Sequence, residues 1–191
     1  QMCIRDSYDI AHKIGCETSE IIDMSSNINP LGPPPGLISF LRETLDRITA
    51  LPEVDSKRII KAFAENHDID PARILAGNGT TQFIFSIPQA LNTTRAFILG
   101  PTYADYVDAC IMHNIDYYNL NAEESLSFIP DIDYVNRIIK GFDAVFICNP
   151  NNPTGSLIPA GELEFLCRSY PNTYFIIDES YLPFVNRNEK K

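Results

Sequence analysis

Asp143-Ala144-Val145-Phe146-Ile147-Cys148-Asn149-Pro150-Asn151-Asn152-Pro153-Thr154-Gly155 passes from an unbroken apolar run into seven consecutive turn-formers. The run has the length of a strand and no alternation, the pattern of a strand covered on both faces. Pro150 and Pro153 fix φ and donate nothing to a ladder, and Asn and Gly tolerate turn conformations, so the chain must leave the sheet here. An ordinary strand-to-helix turn uses the same dipeptides; so long a set of turn-formers after a buried strand points instead to a rigid loop that positions chemistry.

Outward from this stretch the rhythm repeats. Strand-length runs at 95–99, 115–120, 143–148 and 173–177 alternate with helical patterns at 80–91, 103–112, 131–140 and 160–169. That alternation predicts an α/β fold with three layers, α-β-α, around a mostly parallel sheet. Before Pro71 the chain reads differently. A short helix is expected at 8–15, and amphipathic helices at 37–48 (Leu37, Phe40, Leu41, Leu45, Ile48) and 53–66 (Ile59, Ile60, Phe63). Between them, 23–36 holds four prolines and two glycines, and is expected to be an ordered loop in which Met24, Ile28 and Leu31 pack.

The chain has 191 residues, 45% of them hydrophobic, enough for a sizeable core. Its net charge of -10 argues against nucleic acid or an anionic lipid surface as a partner. The five cysteines are scattered without a Cys-x-x-Cys pair, which suggests neither a metal site nor a disulfide framework and fits a reducing cytoplasm. No run approaches the length of a membrane span. Gln1 to Ser7 has no periodicity and is expected to be a fragment end; 187–191 is expected to be a polar tail.

Three strand ends carry polar residues that a core does not need, and in an open α/β sheet such ends converge. The first is Ala76-Gly77-Asn78-Gly79-Thr80-Thr81, glycines opening a helix whose amides and dipole suit an anion. It lacks the lysine of a P-loop and does not fit Gly-x-Gly-x-x-Gly. A simple turn with an N-cap is the alternative. The second is the Asn-Pro loop. The third is Ile176-Ile177-Asp178-Glu179-Ser180-Tyr181, where an acid at the edge of a buried strand wants a cationic partner or else caps the next turn. A phosphate cup, an amide-bearing loop and a strand-end carboxylate together match pyridoxal 5'-phosphate, which has a phosphate, a phenolic oxygen and a pyridine nitrogen.

Asn149-Pro150-Asn151-Asn152-Pro153-Thr154-Gly155 with Asp178-Glu179-Ser180-Tyr181 resembles the large domain of fold-type-I pyridoxal-phosphate enzymes, the class I/II aminotransferase family. Within it, Ser25-Ser26-Asn27-Ile28-Asn29-Pro30-Leu31-Gly32-Pro33 and Gly77-Asn78-Gly79-Thr80 resemble threonine-phosphate decarboxylases of cobalamin synthesis, relatives of the histidinol-phosphate aminotransferases. The resemblance implies that Gly79 and Thr80 hold the cofactor phosphate and that Tyr103 stacks on the ring. It implies that Asn152 and Tyr181 hydrogen-bond the phenolic oxygen, that Asp178 keeps the pyridine nitrogen protonated, and that Asn27 meets the substrate. Asp178 and Tyr103 are thus the expected catalytic pair.

The resemblance also implies a small domain to which 1–48 contributes, a cofactor-binding large domain over 49–186 that is incomplete, and a homodimer at full length. The expected substrate is a phosphorylated amino acid or amine, with threonine-phosphate decarboxylation ahead of histidinol-phosphate transamination. A non-catalytic α/β ligand-binding domain is the rival of another class. Three places depart from the family pattern. Cys3-Ile4-Arg5 stands where a His-Gly-Gly stretch is usual, and Leu51-Pro52 where Tyr-Pro is usual. The Schiff-base lysine, roughly thirty residues after the aspartate in the family, has no counterpart up to Lys191, and Lys190 and Lys191 read as solvated charges.

Overall fold

Apolar runs without alternation become strands covered on both faces, and the computed structural model, which describes residues 7–22, 24, 29 and 31–185, bears this out. The chain divides into two compact units, 1–76 and 77–191. In the first, helix α1 (Ser7–Ile14) buries Ala11 and closes with Gly15 donating to the Ala11 carbonyl. Helix α2 (Leu37–Glu43) stops short of the expected 48. The Thr44 hydroxyl donates to the Phe40 carbonyl at 2.7 Å, and the chain continues as a 3-10 helix, Leu45–Thr49. Thr and Ser bonded back to the carbonyl four residues earlier bend helices in this way. Helix α3 (Lys57–His67) begins later than the pattern suggested and ends on Asp68 in the left-handed region. Phe40, Leu41 and Leu45 are exposed.

The second unit is the α/β sandwich. Helix α4 (Gly79–Ala90) is followed by strand β1 (Arg95–Gly100), helix α5 (Asp105–Met112), strand β2 (Asp116–Asn121), helix α6 (Ile132–Ile138), strand β3 (Ala144–Cys148), helix α7 (Ala160–Ser169) and strand β4 (Tyr174–Asp178). The four strands run in the order β2-β1-β3-β4, all parallel. No strand among the described residues precedes the Ala76-Gly77-Asn78-Gly79-Thr80-Thr81 stretch, expected at a strand end: residues 74–77 are irregular and α4 opens at Gly79 after Asn78.

Alternate side chains of each strand feed opposite layers. Ala96, Ile98 and Phe146 pack with Ile84 of α4 and Tyr106, Ala109 and Cys110 of α5. Phe97, Leu99, Val145 and Ile147 pack with Val135 of α6 and Leu163 and Leu166 of α7. The central strands β1 and β3 are therefore buried, whereas Tyr117 and Tyr118 of the edge strand β2 are exposed.

The amino ends of the central strands are pinned by one carboxylate. Asp143 Oδ2 accepts from the Thr94 amide (2.8 Å), the Thr94 hydroxyl (2.6 Å) and the Arg95 amide (2.8 Å). The Thr94 bonds above all hold this carboxyl below its ordinary range. A group whose folded value is depressed stabilises the fold above its unfolded value, and that contribution disappears as pH falls through the folded one. Asp143→Ala is therefore expected to cost roughly 1–2 kcal/mol at neutral pH, the scale of lost charge-assisted bonds at a partly solvated site. Thermal melts of both proteins from pH 7 to pH 2 should show the gap narrowing below about pH 4.

Candidate active site

Strand order decides where the site lies. The chain passes from β1 outward to β2 and then returns to the other side of β1 as β3, so the topological switch point is between β1 and β3, and a crevice opens beyond their carboxyl ends. The register pairs Cys148 with Asp178, and the Asn149 amide extends that ladder by donating to the Asp178 carbonyl at 2.8 Å. Asp178 thus emerges beside the Asn-Pro loop.

The loop is rigid because its amides are used internally. Asn149 is buried, donating from Nδ2 to the Ile158 carbonyl (3.0 Å) and accepting at Oδ1 from the Ile158 amide (2.7 Å). Asn151 Nδ2 reaches across the switch point to the Pro101 carbonyl at 2.9 Å and also donates to Thr154 Oγ1 at 2.7 Å. With those two asparagines committed to holding the loop, Asn152 is the one turned to the cleft. Its side-chain amide has no hydrogen-bond partner among the described residues.

Helix α4 contributes its amino end. Asn78 makes no side-chain cap, so the first-turn amides keep the open donors that suit an anion. A Cβ at Gly77 would stand 2.6 Å from the tip of the Phe83 ring, which would have to shift, and Gly79 turns with φ +77°. Thr80 then meets the turn that follows β4, its Oγ1 accepting from Ser180 Oγ at 3.2 Å.

Thr80, Tyr103, Asn152, Asp178 and Tyr181 line one cleft of about 150 Å³, together with Thr81, Tyr106, Cys148 and Ser180. Gly79 adjoins it through Thr80. Asn27 lies outside the described residues. Tyr103 follows β1 on the loop into α5, and Tyr106 crosses it edge-on at 6.1 Å between ring centroids. Burial, and then the neighbouring Asp105 carboxylate, push the Tyr103 phenol up, so it stays a neutral ring.

Asp178 is held from two sides. Its Oδ1 accepts from the Ser180 hydroxyl (2.6 Å) and amide (3.0 Å), and its Oδ2 from the Tyr106 hydroxyl (2.9 Å). Tyr106 is 1% exposed and stacks on Phe146, so its hydroxyl reaches the cleft floor from the core. Desolvation, with Cys148 and Asp178 adding to it, holds that phenol far above its usual range. Burial likewise raises the Cys148 thiol, which donates to the Pro150 carbonyl at 3.3 Å.

The cleft thus offers three kinds of partner at three places: open amides at a helix start, an unpaired carboxamide, and a carboxylate with acceptor capacity left. An anion, a polar oxygen and a nitrogen cation on one flat ring would satisfy all three, the set that pyridoxal phosphate carries. Tyr106, Ser180 and Thr81 were not singled out in the sequence. The signal for Tyr106 was present as an aromatic three residues after Tyr103, close to the same strand end.

Comparison with known proteins shows which sequences and folds the chain is similar to. The threonine-phosphate decarboxylase of Salmonella typhimurium is 31% identical over 180 residues, which is 93% of this chain and 49% of that protein. The histidinol-phosphate aminotransferase of Stutzerimonas stutzeri is 31% identical over 187 residues, 92% of this chain and 48% of that protein. The chain thus spans about half the length of these two relatives. The crystal structure of histidinol-phosphate aminotransferase from Sinorhizobium meliloti in complex with pyridoxal-5'-phosphate has the same fold, with a TM-score of 0.78 at 18% identity over 86% of this chain and 45% of that one. The sequence pattern of the family described as aminotransferase class I and II matches residues 19–190, and the chain belongs to that family.

Proposed function

We propose that the cleft binds pyridoxal 5'-phosphate and that the chain is part of an enzyme acting on a phosphorylated amino acid or amine. The observation that carries this reading is the meeting of Thr80, Tyr103, Asn152, Asp178 and Tyr181 at the one switch point of the sheet. In it, the amides of Gly79 and Thr80 and the Thr80 hydroxyl bind the phosphate, aided by the α4 dipole. Asn152 and Tyr181 serve the phenolic oxygen. Tyr103 would stack on the ring and exclude water from one face. The Asp178 carboxylate accepts from the ring N–H and favours the protonated ring by charge pairing. Bound pyridoxal phosphate supplies an electron sink for charge developing at the substrate's α-carbon.

Decarboxylation of threonine phosphate stands first, supported by the similarity to the Salmonella enzyme, and transamination of histidinol phosphate second, supported by equal identity to the Stutzerimonas enzyme. Residues 1–48 are assigned to a small domain, 49–186 to the cofactor-binding domain and 187–191 to a polar tail. The full-length protein is proposed to be a cytoplasmic homodimer. No helix among the described residues is long and apolar enough to cross a membrane.

Titration with pyridoxamine 5'-phosphate, which needs no lysine to bind, tests the site. One-to-one binding is expected, weakened at least about tenfold by Thr80→Val, the loss of one charge-assisted bond. Equal affinity for pyridoxamine without its phosphate would refute the phosphate assignment.

A further inference from the structure

The three bonds that Asp178 accepts leave little of its carboxylate unused. A carboxylate offers about four acceptor positions. Two on Oδ1 are taken by the Ser180 hydroxyl and amide, and one on Oδ2 by the Tyr106 hydroxyl, which leaves a single position, on Oδ2. The two jaws differ in kind. Ser180 is exposed at the cleft rim, whereas Tyr106 is buried between α5 and β3, its ring held by Phe146 at 5.4 Å and crossed by Tyr103 at 6.1 Å.

We infer that Tyr106 and Ser180 form a clamp that fixes the rotation of the Asp178 carboxylate, so that it takes one N–H donor in one direction. Both are positioning residues, acting through Asp178 on whatever cationic nitrogen it meets. A carboxylate freed of either jaw can rotate and accept water, and then holds a partner proton less firmly. This inference rests on the cleft being a cofactor site, and it adds that the basicity of the bound ring is set by a tyrosine beneath it and a serine beside it.

The test uses the chain loaded with pyridoxamine 5'-phosphate labelled with ¹⁵N in the ring, whose nitrogen shift reports protonation as pH is varied. Tyr106→Phe keeps the ring and its stacking and removes one hydroxyl. Ser180→Ala, at an exposed position, leaves the core untouched and keeps the measurement available should the phenylalanine variant fold poorly. Each is expected to make the bound ring nitrogen lose its proton at a lower pH. The expected shift is about one pH unit, a tenfold change, for Tyr106→Phe and roughly half a unit for Ser180→Ala. A merely structural role would change affinity without moving this titration.

Both variants must shift for the clamp to stand. If either titrates as the unaltered chain does while Asp178→Asn loses ring protonation, the clamp is wrong and the cofactor reading survives. If Asp178→Asn also titrates unchanged, or the unaltered chain binds no pyridoxamine 5'-phosphate, the cofactor reading fails and the clamp with it.

Discussion

Asp178→Asn is expected to lower turnover by at least about a hundredfold in an active protein that contains this chain, roughly 2.7 kcal/mol, the scale of losing one preorganised electrostatic contact. The substitution keeps the shape of the side chain and removes its charge. It also replaces one accepting oxygen by an N–H₂ group, which faces the donors on one side of the clamp: the Tyr106 hydroxyl at Oδ2, or the Ser180 hydroxyl and amide at Oδ1. The strand itself should not move, because Asp178 takes part in the sheet through its backbone, whose carbonyl accepts from Asn149. Steady-state kinetics with threonine phosphate and histidinol phosphate in turn should therefore show kcat falling far more than KM rises. Near-normal turnover with the preferred substrate would mean that another acid serves the ring nitrogen.

Phe146→Ala is expected to cost about 3–5 kcal/mol of folding stability, a large part of what a domain of this size possesses. Phe146 is fully buried at the centre of β3, on the face covered by α4 and α5, and stacks on Tyr106 at an interplanar angle of 26°. A cavity there is lined by the sheet and by a second aromatic ring, which limits collapse. It also removes the wall that holds Tyr106 under Asp178, so cofactor affinity should fall along with stability. Denaturant unfolding checks the first part: a shift in midpoint worth under about 1 kcal/mol would contradict this account of the core.

The strands were legible because burial on both faces leaves a mark in composition. Val145-Phe146-Ile147 needs no alternation, and β1, β3 and β4 lie within a residue of where their apolar runs predict. The order of the strands was not legible, since nothing in a parallel strand's sequence names its neighbour. The site was legible in part. Asp178 stands out as an acid directly after an apolar run, and Asn152 lies within the turn-formers that follow another, so the turn chemistry around them is local. Tyr106 was hidden because a tyrosine at an apolar helical position reads as core, and it is core; only its hydroxyl serves the cleft. Ser180 was hidden because its bond to Asp178 spans two residues of a turn, and any serine there looks the same in sequence. The break of the predicted 37–48 helix at Thr44 depended on a side-chain bond to Phe40 that periodicity does not register.

A crystal structure of the chain with pyridoxamine 5'-phosphate bound tests the central claim most directly. The account predicts the phosphate against the amides of Gly79 and Thr80, the ring on Tyr103, its phenolic oxygen within hydrogen-bond distance of Asn152 and Tyr181, and its nitrogen at the free position of Asp178 Oδ2. A ligand seated elsewhere, or one in this cleft whose nitrogen faces away from Asp178, would contradict it.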